Sequence, residues 1–168
     1  MRSDAQLLSR IADQDRGAFR LLFERHSDRI YRFALTLTRN PHLAEEVLQE
    51  TMMTVWKAAG RFKGRSKVTT WLLGIAKNQA RNLFRKEERG RRLPEMPDRH
   101  GDASGKIEMS VHVERALDTL PEGQREVLHF VFYENLSVRE TAELLGLPEG
   151  TVKSRMYHAR KNLAKELA

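Results

Sequence analysis

The chain is predicted to be all-α: two small helical domains joined by a flexible linker, the C-terminal one a helix-turn-helix domain. Three observations carry this reading. Apolar residues recur at three- and four-residue intervals through most of the chain, the spacing that lays a stripe along one side of an α-helix. Residues 89 to 106, RGRRLPEMPDRHGDASGK, break that rhythm with two prolines, three glycines and no sustained apolar period, which is linker composition. Residues 135 to 163 read NLSVRETAELLGLPEGTVKSRMYHARKNL, two short helical patterns joined by a four-residue turn, with a polar stripe on the second. That is the organisation of a helix-turn-helix reader of duplex DNA.

The elements follow in order. Leu7, Leu8 and Ile11 suggest a short first helix. Phe19, Leu22, Phe23, Ile30, Phe33, Ala34 and Leu37 make a stripe through residues 16 to 38, and Ala44, Val47, Leu48, Thr51 and Val55 make another through 41 to 59. Between them, Asn40 and Pro41 supply a cap and a first-turn proline, and Gly60 ends the second pattern. After the polar segment RFKGRS, Val68, Trp71, Leu72, Ile75, Ala76 and Leu83 define a third long helix with Ser66 as its cap. These stripes can bury one another, so the first domain covers residues 1 to 88. A linker spans 89 to 109, and the second domain covers 110 to 168.

Three helical patterns in the second part cover 107 to 119, 122 to 132 and 137 to 145, with Pro121 separating the first two. Ser137 and Glu140 have capping-box spacing, Ala142 and Leu145 form an inner face, and Gly146 is a helix stop. The last helix runs from 151 to 167. Val152, Met156, Ala159, Leu163 and Leu167 face one way, which leaves Ser154, Tyr157, His158 and Lys161 opposite, with Lys153, Arg155 and Arg160 beside them.

A length of 168 residues allows one medium domain or two small ones, and a formal charge of +7 with a pI near 10.0 favours a polyanionic partner. The charge is focused. Residues 61 to 92 hold 11 Lys or Arg against two Glu, whereas 107 to 168 hold 8 basic and 10 acidic residues, five of those basic ones after position 150. Absence of cysteine rules out disulfides and thiolate ligands or nucleophiles. There is neither a signal peptide nor an apolar run long enough to cross a bilayer, so a soluble, cytoplasmic protein with no membrane insertion is expected. The six histidines have no recognisable ligand spacing, and no nucleophile–base pair stands out. Neither enzymatic activity, a cofactor nor a metal is expected.

Two segments together resemble the extracytoplasmic-function group of the sigma-70 family of bacterial RNA polymerase sigma factors. The first consists of AEEVLQETMMTVWKAAGRF and TTWLLGIAKNQARNLFRK, within about residues 15 to 88. The second is LPEGQREVLHFVFYENLSVRETAELLGLPEGTVKSRMYHARKNL, within about 110 to 166. GTVKSR alone also resembles the recognition helices of dimeric response regulators, so the specificity lies in the two segments, their order and their separation.

The resemblance implies a dissociable initiation subunit that binds core RNA polymerase, through the clamp helices of the largest subunit and the flap, and promoter DNA. It also implies a cognate anti-sigma factor. Glu45, Glu46, Gln49 and Glu50 would face the clamp helices, with Trp56 nearer the core; without the resemblance they read as an acidic solvated face. Glu46 stands where relatives more often carry aspartate, and Met52 where an aromatic is common. The loop containing Arg61, Phe62, Lys63, Arg65 and Lys67 would capture a flipped base of the minus-10 element. The next helix would contact that element through Asn78, Arg81, Asn82, Arg85 and Lys86, with Asn82 in place of a common aspartate. Trp71 reads better as core packing than as a base-stacking group.

In the major groove of the minus-35 element, Lys153, Ser154, Tyr157 and His158 would meet base edges, and Arg155, Arg160 and Lys161 the backbone. Thr151 and the first-turn amides could meet a phosphate. His158 replaces a frequent arginine and cannot reproduce its two-pronged contact to guanine. Two other accounts use the same residues. One is a polymerase-independent dimeric helix-turn-helix regulator, the other an adaptor that binds protein through its acidic and apolar faces.

Overall fold

The computed structural model describes residues 1–90 and 111–168. The expected linker, apart from its first two residues, and the start of the helical pattern at 107 lie outside the described residues. The chain forms two compact units. The described residues are helical with no strand, and among them no helix is long and apolar enough to cross a membrane.

In the first unit, α1 (Asp4–Ala12) opens on a capping box. Ser3 Oγ accepts from the Gln6 amide at 3.2 Å, and Gln6 Oε1 accepts from the Ser3 amide at 2.9 Å. Its Leu7, Leu8 and Ile11 are all buried, so the short first helix is part of the core. It closes on Gln14, a non-glycine residue at φ 66°, with the Asp15 amide donating back to the Arg10 carbonyl.

Asp15 caps α2 (Arg16–Thr38) by accepting from the Ala18 amide at 3.1 Å. The buried side of α2 is Ala18, Leu22, His26, Ile30, Phe33, Ala34 and Leu37. Phe23 departs from the expected stripe and is 39% exposed. The row of four-residue steps 18, 22, 26 and 30 faces the core, and Phe23 lies about 100° around the helix from Leu22. His26 can occupy that row because its Nε2 lies 2.8 Å from Asp4 Oδ2. The same carboxylate accepts from Arg25 Nη1 at 2.9 Å, fastening α1 to α2.

Asn40 caps α3 (Pro41–Ala58) as expected, its side-chain oxygen accepting from the amides of His42 and Leu43. Leu43, Ala44, Val47, Thr51, Met52 and Val55 are its buried residues. The helix ends at Ala58 and tightens into a 3₁₀ turn, Ala59–Arg61, which contains Gly60. α4 (Val68–Gly90) begins one residue later than a Ser66 cap would require. The Trp71 amide reaches the Lys67 carbonyl, and the Ser66 hydroxyl donates to that same carbonyl instead of accepting from the first turn. Leu73 and Ala80 join Val68, Leu72 and Ala76 inside, while Trp71, Ile75 and Leu83 are half-buried. Helices α2, α3 and α4 pack on one another, and α1 closes the bundle over α2 and the 3₁₀ turn.

The second unit contains α5 (Val111–Thr119), α6 (Glu122–Leu128), α7 (Val138–Leu145) and α8 (Glu149–Glu166). The pattern expected to continue from 122 to 132 widens at His129–Tyr133 into a π-turn, where the Glu134 amide reaches the His129 carbonyl. Ser137 and Glu140 form the expected reciprocal box. Gly146 stops α7 at φ 65°, with the Leu147 amide donating to the Ala142 carbonyl at 3.0 Å. α8 is the hub against which α5, α6 and α7 all pack. Its Val152 and Ala159 are fully buried, Ala159 against Leu120 and Leu128, but Leu167 is 48% exposed. The expected inner stripe therefore fades in the last turn.

Candidate nucleic-acid interface

On α3, Glu45, Gln49 and Glu50 are exposed and Glu46 is half-buried. The row 45, 49, 53 follows four-residue steps, so the surface continues into Met53, which is 53% exposed. Met53 stands one four-residue step beyond Gln49, a spacing the sequence already carries but which an apolar side chain hides among candidate core positions. Beneath this face Met52 is 4% exposed, and Trp56 meets Phe19 edge-on at 5.3 Å. Gln79 Nε2 donates to Thr54 Oγ1 at 3.0 Å, tying α3 to α4 and fixing this acidic face relative to the cationic one.

The cationic face begins at Arg61, Lys63, Arg65 and Lys67, all exposed on a turn where Gly64 takes φ 71°. Phe62 is half-buried and meets Trp71 at 5.5 Å with the rings inclined by 62°. Trp71 is thus neither a fully buried core residue nor a free stacking platform; it anchors the root of the loop to α4. Asn78, Arg81, Asn82 and Arg85 are all exposed, and their three- and four-residue spacing puts them on one face, with Lys86 exposed beside it. Cations lie here beside amides that can hydrogen-bond in either direction, a surface suited to a phosphodiester chain with accessible base edges.

On α8, Lys153, Ser154, Tyr157, His158, Arg160 and Lys161 are exposed, and the Tyr157 and His158 rings meet edge-on at 5.3 Å. The assigned cations differ in setting. The Arg160 guanidinium lies 5.0 Å above the Phe132 ring, which holds it on the rim of the helix. Arg155 is half-buried, with its guanidinium close over Gly123 of α6. The Thr151 amide donates to the Pro148 carbonyl at 3.0 Å, so it is already engaged within the first turn and Thr151 meets any ligand through its hydroxyl. Among the described residues no group of three His, Cys, Asp or Glu side chains is arranged to hold a metal ion.

The sigma-70 region 2 family model matches residues 22–90, and the sigma-70 region 4 model matches 111–163. The chain is 36% identical over 168 residues to the ECF RNA polymerase sigma factor SigM of Mycobacterium tuberculosis, covering 99% of this chain and 85% of that protein. It is 31% identical to the RNA polymerase sigma-H factor of Pseudomonas aeruginosa, covering 98% of this chain and 93% of that protein. Among solved structures it is similar to the sigma factor RpoE of Bartonella quintana, crystallised with the anti-sigma factor NepR. That match has a TM-score of 0.76 and 26% identity and covers 89% of this chain and 96% of that one. CnrH, solved with the cytosolic domain of CnrY, matches with a TM-score of 0.71 and 25% identity over 98% of this chain and 96% of that one. The helical fold, the matches to both regions and the relatives converge: this chain belongs to the extracytoplasmic-function group of the sigma-70 family of RNA polymerase sigma factors.

Proposed function

We propose that the chain is a dissociable specificity subunit that directs core RNA polymerase to promoters, acts in the cytoplasm and has no catalytic role of its own. Residues 1 to 88 bind polymerase and open the minus-10 element, 89 to 109 link, and 110 to 168 read the minus-35 duplex. The observation that carries this reading is the pairing of two exposed surfaces of different character on separate units. One is the face of α4 bearing Asn78, Arg81, Asn82 and Arg85, the other the outward face of α8.

The first suits separated strands. Its loop of Arg61, Phe62, Lys63, Arg65 and Lys67 can hold an unpaired base while α4 and Lys86 neutralise phosphates. In the second, Lys153, Ser154, Tyr157 and His158 address base edges while Arg160, Lys161 and the Thr151 hydroxyl address the backbone. Glu45, Glu46, Gln49 and Glu50 carry the acidic face toward the polymerase clamp helices. Nucleotidyl transfer stays with polymerase and its own metal ions. One similar structure is a sigma factor held by an anti-sigma factor, which supports an inhibitory partner for this chain as well.

Strand-opening and footprinting on candidate promoters, with this chain alone, core polymerase alone and both together, test the reading. Joint dependence is expected, with an unpaired minus-10 segment and a protected minus-35 duplex. If the two together open nothing across a diverse promoter library, the reading fails. Promoter protection by this chain without polymerase would favour the independent regulator.

A further inference from the structure

The basic residues of α8 do not share one role. Ser154, His158 and Lys161 lie on its exposed side, whereas Arg155 falls within about 40° of both Ala159 and Asn162 around the helix axis. Ala159 is fully buried against Leu120 and Leu128, and Asn162 Nδ2 donates to Gln124 Oε1 of α6 at 2.9 Å. Arg155 therefore belongs to the stripe that faces α6.

Its guanidinium lies over Gly123, in the space that a Cβ there would take. A Cβ on residue 123 would stand 2.9 Å from Arg155 Nη1, 3.1 Å from Cζ and 3.4 Å from Nε. A guanidinium packed over a glycine backbone gains dispersion contact that a side chain at that position would displace. With Asn162 and Gln124 two turns further along α8, this contact ties α8 to the first turn of α6 on either side of Ala159.

We propose that Arg155 is a positioning residue of the recognition helix and not a phosphate ligand, with Gly123 as the other half of the contact. The proposal rests on α8 being the helix that enters the major groove. Its effect is to set the angle at which α8 leaves the α6 platform, and hence where Ser154 and His158 meet the duplex.

The test measures promoter binding by the full chain with core polymerase over a salt titration. Phosphate neutralisation on duplex DNA contributes about 0.9 to the log–log salt slope per contact. Arg155→Ala is expected to lower affinity about five- to tenfold at every salt concentration, the range of a lost packing coupling, with the slope unchanged. Arg155→Lys, which lacks the planar group, should not restore it. Adding Gly123→Ala to Arg155→Ala should cause no further loss, because the two residues make one contact.

A slope shallower by about 0.9 in Arg155→Ala, or losses that add in the double variant, would overturn the proposal. If Arg155→Ala does not fold, Gly123→Ala alone carries the test. It leaves a helical backbone undisturbed and displaces only the guanidinium, so the same loss is expected, and unchanged or tighter binding would refute the idea. Lys161→Ala is the control for α8 itself. It should make the slope shallower by about 0.9, and if it does not, the reading of α8 as the groove helix has failed, not the role of Arg155 within it.

Discussion

Replacing Arg81 and Arg85 together by alanine is the sharpest perturbation of the proposed melting surface. Both side chains are exposed on the α4 face that also carries Asn78 and Asn82, and neither contributes to the buried core of the first unit. Their loss should move folding stability by no more than about 0.5 kcal/mol. For single strands, each neutralised phosphate contributes about 0.7 to the log–log salt slope, so losing two cations should make the slope shallower by about 1.4. Between about 50 and 150 mM salt, the wild-type advantage should therefore narrow by about fivefold. The assay is fluorescence anisotropy of a single-stranded minus-10 oligonucleotide bound to core polymerase carrying the wild type or the double variant, titrated with salt. Equal weakening at all salts would show that the two arginines act other than through phosphate. Undiminished binding with an unchanged slope would remove the α4 face from the DNA surface altogether.

Three further outcomes follow from the packing. Asp4→Asn removes the carboxylate that joins Arg25 and His26 to α1, and should destabilise the first unit by about 1 kcal/mol, the scale of a partly exposed ion pair. Burial pushes the Asp4 carboxyl up, but hydrogen bonds and charge from Arg25 and His26 outweigh it and hold its pKa below 3.8. The Asp4 contribution is accordingly complete above the ordinary carboxylate range and lost as the pH falls through the lowered folded value; urea melts should see the two proteins converge only in that acid window. Gln14→Gly relieves a left-handed residue at φ 66°. Removing about 1–2 kcal/mol of steric cost against about 0.5–1 kcal/mol of added chain entropy should leave a net gain of about 0.5–1 kcal/mol, and a lower melting temperature would contradict this. Phe130→Ala empties a fully buried site in the second unit at a cost of about 3–5 kcal/mol. Minus-35 protection should disappear while single-stranded minus-10 binding by the holoenzyme persists, and parallel loss of both would refute the independence of the two surfaces.

Features governed by neighbours three to five residues away were legible in the sequence. Asn40–Pro41, the Ser137–Glu140 box and the Gly146 stop all act within one helical turn, and each appears as expected. The exposed cations and amides of α4 and α8 were legible for a related reason, since a helix with one side buried presents the opposite side. Ser66 departs from the expected cap because a hydroxyl near a helix start can donate to a carbonyl as easily as accept from an amide, and the register of α4 decides which. The π-turn at His129–Tyr133 adds a residue to a repeat that periodicity assumes constant.

By itself, then, the sequence determined an all-α chain, its caps, its two charged segments and its family, because these depend on local hydrogen bonding, helical period and motif order. Tertiary structure decided which residue of a candidate stripe is inside. His26 is buried and Phe23 exposed because a carboxylate 22 residues earlier in the chain meets the imidazole. It also separated cations that look equivalent in the string KSRMYHARK. Arg160 is braced over Phe132 and Lys161 faces outward, while Arg155 lies against Gly123, a partner 32 positions away. Such contacts arise where one helix crosses another, and the crossing is a property of the packed bundle, not of any window of sequence.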